Sequence, residues 1–329
     1  MTSFPDVDAL MRVEVYGKFN GMWAQCVVFW KGIQPTSAMN IIETHSLSKF
    51  YGKERGITDV TISVKQGEIF GFIGPNGAGK STTIRTLLGL LAPSSGEAKL
   101  FGQSILENGH ELRCRIGYLP SEVDYYAEMT SRELLEYHAN IYGLENAGEK
   151  IRELAQYFEL DLDRPIADLS FGNKKKCAII QAVVHEPELL ILDEPTSGLD
   201  PLMQNRFFEL LESRNAKGTT IFFSSHILSE IQRLCDRAAI IRGGEITAVE
   251  DITTLLAKQM KKVRLVLESD AKLELPEGAQ NQEWLGNKVL FDYVGPTKDL
   301  LQWLGRQEVV DLTLSEPDLE SIFMNYYRR

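Results

Sequence analysis

Between positions 41 and 249 the chain alternates short apolar runs with stretches whose apolar residues recur every three or four positions. Residues 57–64 alternate apolar with polar, and 69–73 form a continuous apolar run leading into glycine. Further continuous runs at 189–192, 220–223 and 238–241 predict buried strands. Helical periodicity follows Lys80 over 83–91 and fills 131–158, with Leu134, Leu135, His138 and Ile141 on one face. Continuous apolar strands bounded by helices predict a parallel sheet covered on both faces, with 131–158 inserted as a helical block between its halves. After Gly243-Gly244 the texture changes. A helix over 252–262, strands over 263–267, 289–294 and 309–314, and a helix over 299–306 predict a small α/β appendage. Its ~65–70 residues lie near the lower limit for an independent core.

The first 38 residues lack this texture. They hold one short apolar stretch at 22–30, and a better-formed start appears at Met39, where Ile41-Ile42 opens a strand. The extension reads as non-functional, or as an upstream start wrongly included, rather than as an amphipathic segment that touches a membrane or partner. The expected organisation is an extension over 1–38, a main domain over 39–249 with a helical subdomain at about 121–165, and an accessory domain over 250–329.

Composition narrows the class. The 329 residues hold 35 Lys+Arg against 46 Asp+Glu, a formal net charge of −11, so no long-range basic field for nucleic acid or anionic lipid is expected. No apolar run reaches the ~18–20 residues that span a bilayer. Cys26, Cys114, Cys177 and Cys235 are scattered without a C-x-x-C pair, which fits a reducing compartment better than a disulfide or zinc framework. An acidic, cytosolic protein is expected.

The chemistry begins at Gly74-Pro75-Asn76-Gly77-Ala78-Gly79-Lys80-Ser81-Thr82. This is G-x-x-x-x-G-K-[ST] directly after one apolar run and before a helix, the context a phosphate loop needs. Its glycines let backbone N–H groups turn inward, and the helix N-terminus adds positive potential. Lys80 would reach the β- and γ-phosphates of a nucleoside triphosphate and Ser81 would ligate Mg²⁺. The run 189–192 ends in Asp193-Glu194. Asp193 suits the second protein anchor for Mg²⁺, and Glu194 the open side of the γ-phosphate, where a base or water-orienting group belongs.

Leu169-Ser170-Phe171-Gly172-Asn173 lies between the loop and this acidic run, Ser197-Gly198-Leu199-Asp200 follows it, and His226 ends the next strand. In this order the set resembles the nucleotide-binding subunit of an ABC transporter over about 41–249. The resemblance implies a RecA-like core with an antiparallel β part and a helical subdomain, binding ATP and Mg²⁺. It also implies two subunits sandwiching two ATP molecules. Ser170 and the backbone of Gly172 in one subunit would then cap the γ-phosphate held by Lys80 of the other. His226 resembles the switch histidine that meets the γ-phosphate and attacking water, and Asp200 the acidic residue bridging the dimer. Tyr51 stands where the family places an aromatic under the adenine.

This chain departs from the family at three positions. Ser121, followed by Glu122, stands where a glutamine is usual after 116–120; Phe171 replaces a glycine of the signature and Asn173 a glutamine. Lys174-Lys175-Lys176 is expected to form the solvated first turns of the signature helix rather than a nucleic-acid patch. The resemblance implies a separate membrane-spanning permease subunit docked on 131–158 and the Ser121 loop, and a place on the inner face of the membrane. The tail at 315–323 resembles single-cassette subunits of bacterial drug, antibiotic or polysaccharide exporters. A soluble ATPase of this type acting on a ribosome or DNA complex remains the alternative, although the chain has one phosphate loop and no long coiled-coil insert.

Overall fold

The computed structural model describes residues 10–19, 22–31, 39–52, 54–107, 109–123, 125, 128–252, 261–269 and 273–315. Contacts divide the chain into units 1–39 and 40–329. In the first, β1 (Leu10–Phe19) and β2 (Met22–Lys31) pair antiparallel, Leu10 opposite Lys31 and Phe19 opposite Met22. The apolar stretch at 22–30 is therefore one arm of a hairpin.

The second unit begins with β3 (Asn40–Tyr51), β4 (Glu54–Val60), β5 (Ser63–Lys65), β6 (Ile69–Ile73), α1 (Lys80–Leu87), β7 (Ser95–Leu100) and β8 (Gln103–Ser104). It continues through α2 (Gly109–Cys114), β9 (Ile116–Leu119), α3 (Ser131–Ile141), α4 (Ala147–Tyr157), α5 (Phe171–Val183), β10 (Leu189–Asp193) and α6 (Pro201–Asn215). Then follow β11 (Thr220–Ser225), α7 (Leu228–Leu234), β12 (Arg237–Arg242) and β13 (Glu245–Asp251). Strands β14 (Lys261–Leu267), β15 (Ala279–Leu285), β16 (Lys288–Tyr293), helix α8 (Thr297–Leu304) and β17 (Val309–Ser315) close the described chain.

The central sheet has the order β13-β12-β6-β11-β10-β9. Its strands are parallel except β13, which pairs antiparallel with β12 at the edge. Because successive side chains of a strand point to opposite faces, each apolar run feeds two cores. Ile69, Ile73, Leu190, Leu192, Ile221 and Phe223 pack with Leu135, Phe158, Ile179 and Phe207 on the helical side. Phe70, Phe72, Leu189, Ile191 and Phe222 pack on the other face with α1 and with Ile42, Leu47 and Ile57 of the antiparallel sheet β4-β3-β7-β8, onto which β5 also pairs. Continuous hydrophobicity in 69–73 and 189–192 thus reflects burial on both faces.

Several elements differ from the sequence pattern. The 57–64 alternation is split into β4 and β5, because Thr44 Oγ1 donates to Val60 O and accepts from Ile62 N at the break. Block 131–158 is two helices. Thr130 and Glu133 form a capping box that starts α3, and Gly143 (φ 64°) and Asn146 (φ 56°) turn the chain into α4. Leu134 and Leu135 are buried, but Ile141, the last residue of α3, is exposed. The first helix ends at Leu87 rather than 91, followed by Gly89 at φ 68°. Lys261 and Lys262 lie in β14, not in a helix. Residues 253–260 of that expected helix fall outside the described residues, as does the tail motif beyond Ser315.

The C-terminal sheet runs β15-β16-β14-β17 and is covered by α8, with Val263, Leu265, Val289, Phe291, Leu300 and Leu304 forming a core of its own. Strand β15 escapes the hydrophobic pattern because it is a polar edge strand, with Gln280, Asn281, Gln282 and Glu283 in its middle. Among the described residues no helix is long and apolar enough to cross a membrane.

Candidate active site

Strand β6 delivers the chain into a loop whose turns suit glycine. Gly77 (φ 78°) and Gly79 (φ 107°) adopt left-handed backbone, and a Cβ at Gly74 would lie 2.4 Å from the Ile241 carbonyl oxygen. Ala78 N closes the loop on Pro75 O at 3.1 Å. Lys80, the first residue of α1, is buried, and its Nζ donates back to Gly74 O at 2.6 Å and Pro75 O at 3.2 Å.

Asp193 ends β10 fully buried. Ser224 Oγ donates to its Oδ1 at 3.2 Å, while its Oδ2 has no protein partner. Burial pushes the Asp193 carboxyl above its ordinary range, and the neighbouring Ser81 and Ser224 hydroxyls pull against that shift. Glu194 turns out of the strand at φ 49°, a conformation few non-glycine residues adopt, and its N–H donates to Ser224 O. Its Oε1 forms an ion pair with Lys80 Nζ at 3.1 Å, and its Oε2 lies 2.6 Å from His226 Nδ1. An ionised carboxylate only accepts, so with Glu194 charged the hydrogen sits on His226 Nδ1.

Two clefts share this corner. The first, of about 460 Å³, is lined by Tyr51, Gly56, Asn76, Gly77, Gly79, Lys80, Ser81, Thr82, Ser121, Glu122 and Glu194. Tyr51 is exposed beside it, with the Lys49 ammonium 5.7 Å from its ring centre. The second, of about 570 Å³, is lined by Asn76, Ser121, Glu122, Val123, Phe171, Lys174, Glu194, Ser197 and His226. Ser121 and Glu122 therefore form a wall common to both.

The signature residues open α5. Ser170 is its N-cap, and the Oγ accepts from Asn173 N at 3.3 Å. Phe171 is half exposed with its ring over Gly198, and Gly172 packs close to the Gly198 carbonyl. Asp200 caps α6, accepting from Met203 N at 3.0 Å, with Pro201 as the first helical residue. Ser170, Gly172, Asn173 and Asp200 line neither cleft.

The lysine run is not uniformly solvated. Lys175 is buried and its Nζ donates to Pro120 O at 3.0 Å and Ser121 O at 3.2 Å. Helical periodicity carried the signal: Lys175 falls on the same stripe as Ala178, Ile179 and Ala182, all buried. Ser224, which holds Asp193, was also missed. It lies opposite Asp193 in the β10–β11 register, a contact visible only once the strands are paired.

A phosphate loop after β6, an acidic end to β10 and a histidine after β11, on strands ordered β6-β11-β10, define a P-loop ATPase. The family profile described as ABC transporter matches residues 57–197. The bacitracin transport ATP-binding protein BcrA of Bacillus licheniformis is 35% identical over 300 residues, which cover 86% of this chain and 96% of that protein. The linearmycin resistance ATP-binding protein LnrL of Bacillus subtilis (strain 168) is 31% identical over 312 residues, covering 87% and 97%. A solved structure of the ATP binding subunit of an ABC transporter superposes with a TM-score of 0.63 at 34% identity, covering 66% of this chain and 92% of that one. The chain belongs to the ABC transporter family, as an ATP-binding and ATP-hydrolysing subunit.

Proposed function

We propose that this chain is the ATPase subunit of an exporter, working as a dimer that drives a separate membrane-spanning permease from the inner face of the membrane. The observation that carries the reading is the continuous contact Lys80–Glu194–His226 beside buried Asp193. It gathers a phosphate-binding cation, a base and a hydrogen-bonding imidazole at one corner. The exported cargo is of drug, antibiotic, lipid or polysaccharide type, and the relatives named for bacitracin transport and linearmycin resistance support the antibiotic class.

The residues take roles that follow from their positions. Residues 74–82 wrap the triphosphate, with Lys80 meeting the β- and γ-phosphates, and the exposed ring of Tyr51 stacks on adenine. Asp193 and Ser81 fit Mg²⁺, because a hard cation takes oxygen ligands and Asp193 Oδ2 is buried without a protein partner. When bound there the ion supplies charge neutralisation of the phosphates. Glu194 takes the proton of the attacking water, and His226 hydrogen-bonds the γ-phosphate by donating the Nδ1–H that here faces Glu194. Ser170 and Gly172 of the opposite subunit cap that phosphate from the N-terminus of α5, with Phe171 and Asn173 shaping the surface around it. Asp200 bridges the subunits, and Ser121 and Glu122 relay closure to the permease. Closure on ATP and opening after hydrolysis switch the permease between its two faces.

The permease seat is a cavity of about 480 Å³ between the end of β9 and the helices α3 and α5, lined by residues including Glu122, Tyr125, His138 and His185. We assign residues 39–249 to the cassette, with its helical subdomain at about 121–165, and 250–329 to an accessory domain.

The test is an affinity capture from detergent-solubilised native membranes, using a C-terminally tagged Glu194→Gln variant with ATP. Recovery of a multi-spanning membrane protein in near-equal amount is expected. Recovery of ribosomal or nucleoid proteins alone would replace the transporter role with a soluble motor.

A further inference from the structure

Helix α5 joins two parts of the site that are separate in sequence. Its N-cap is Ser170, and one turn further in Lys175 reaches the wall shared by both clefts. A lysine on a buried helical stripe costs free energy unless its ammonium is well satisfied. Here the partners are not carboxylates. They are two consecutive backbone carbonyls, Pro120 O and Ser121 O, immediately after β9.

The flanking lysines behave differently, which shows that burial at 175 is specific. Lys174 lines the second cleft with Glu194 and His226, and both it and Lys176 are partly exposed. Lys175 is 1% exposed. Desolvation lowers its pKa to about 8, and the attraction of Asp193 and Glu194 only partly offsets that burial. The carbonyl contacts thus satisfy an ammonium whose burial is costly.

The geometry fixes what the anchor does. Ser121 and Glu122 wall the phosphate cleft through their own side of the loop, while Lys175 grips the loop backbone. The grip is independent of the side chain at 121, so the wall is held even where a short serine stands. We infer that Lys175 is a positioning residue for ATP hydrolysis: it ties the 120–122 wall to helix α5, so that the wall and the phosphate-capping helix move as one body. The inference rests on the assignment of Lys80 and Glu194 to the nucleotide cleft.

The alternative is that Lys175 only satisfies two carbonyls and adds stability. The two are separated by steady-state hydrolysis of MgATP with the full chain, comparing wild type, Lys175→Met, Lys175→Gln and Lys175→Arg, with thermal midpoints measured on the same samples. Methionine keeps the bulk without donors, glutamine restores N–H donors without charge, and arginine restores both. The expected result for Lys175→Met is a KM within threefold of wild type and a kcat at least tenfold lower in a folded protein. Lys175→Gln or Lys175→Arg should recover at least threefold of that loss. Hydrogen exchange at the amides of residues 121 and 122 should quicken in Lys175→Met.

A Lys175→Met protein with kcat within twofold of wild type overturns the inference. So does a loss that tracks the unfolded fraction, or a loss that neither polar variant repairs. If Lys175→Met does not fold, the glutamine and arginine variants decide, since loss of amide protection at 121–122 with unchanged kcat also overturns it. Glu194→Gln is measured alongside. If that variant hydrolyses normally, the cleft assignment has failed; if it is inactive while Lys175→Met is normal, only the present inference has failed.

Discussion

Lys80 Nζ and Glu194 Oε1 lie 3.1 Å apart in a largely sheltered corner, their side chains 5% and 16% exposed. The ammonium that would meet the γ-phosphate is therefore also the counter-charge of the proposed base. Triphosphate and carboxylate compete for one cation, and two anions close together repel strongly where water is scarce. Glu194→Gln should remove that competition. ATP affinity is expected to hold or rise by a few-fold, while turnover falls by about 10²-fold or more through loss of the base. Equilibrium ATP binding and phosphate release, measured on one preparation, check both halves. Normal phosphate release would remove Glu194 as the base.

The converse substitution, Lys80→Ala, acts on binding first. It removes the charge that faces the phosphates and leaves Glu194 with His226 as its remaining partner. A ligand at 100 times its Kd raises stability by about 2.7 kcal/mol, so wild type should show a clear ATP-dependent rise in Tm. Lys80→Ala should show none at the same concentration. Retention of the full ATP-induced shift would refute the phosphate-loop role of this lysine.

Gly198 is fixed by two independent constraints. Its φ is +80°, and a Cβ there would stand 2.3 Å from the ring of Phe171. The first costs ~1 kcal/mol for an ordinary residue, and the second forces the phenyl ring or the 197–200 loop to move. Gly198→Ala should therefore lower stability by at least that amount and reduce ATPase activity. The double variant Gly198→Ala/Phe171→Gly should recover part of the stability lost in the single one. Denaturant unfolding of the four proteins in this cycle tests the coupling, and strict additivity would show that the ring contact carries no energy.

Ser121 offers a different kind of test, because its side chain lines both clefts while its carbonyl is held by Lys175. Ser121→Gln lengthens the side chain without disturbing that backbone contact. Hydrolysis by the isolated chain should stay within about threefold of wild type, whereas turnover of the assembled transporter should change more. Comparing the two rates, with and without the co-purified permease, measures this. Equal effects on both would make position 121 passive in coupling.

The parts of the fold written in local pattern were legible before the structure. The apolar runs 69–73 of β6 and 189–192 of β10 reported strands buried on both faces, and the glycines after β6 marked the loop leading into α1. Contacts between distant segments were not legible. The family resemblance, not any local window, set His226 and Glu194 at one phosphate; 32 positions apart, they meet because β10 and β11 are neighbours. Lys175 shows how a local cue misleads. Three consecutive lysines suggest a solvated face, yet a helix rotates each by 100°, and the middle one points into the core. Strand β15 was invisible for the opposite reason, since an edge strand needs little apolar content to pair.

The histidines of the groove beside α5 predict how stability responds to acid. His138 is driven down to about 4, chiefly by burial and further by neighbouring His185, whose own pKa burial also lowers. An unfolded imidazole titrates near ~6.5. As pH falls below that value the unfolded chain takes up protons that these folded imidazoles refuse. The unfolded state then binds more protons, so stability is fully present above pH ~6.5 and is lost progressively as pH drops toward 4. Carboxylates with lowered values, such as Glu186 and Glu188 in their ion pairs, add a loss of the same sign but nearer their ordinary range around 4.5. Buried Asp193, held above its ordinary range, contributes with the opposite sign as pH falls, so the difference between wild type and a His138 variant isolates the histidine. Tm should fall between about pH 6.5 and 5 in wild type, and His138→Gln should make that fall shallower, since glutamine carries no proton equilibrium. A slope unchanged by His138→Gln would show that this imidazole ionises in the folded state as readily as in the unfolded chain.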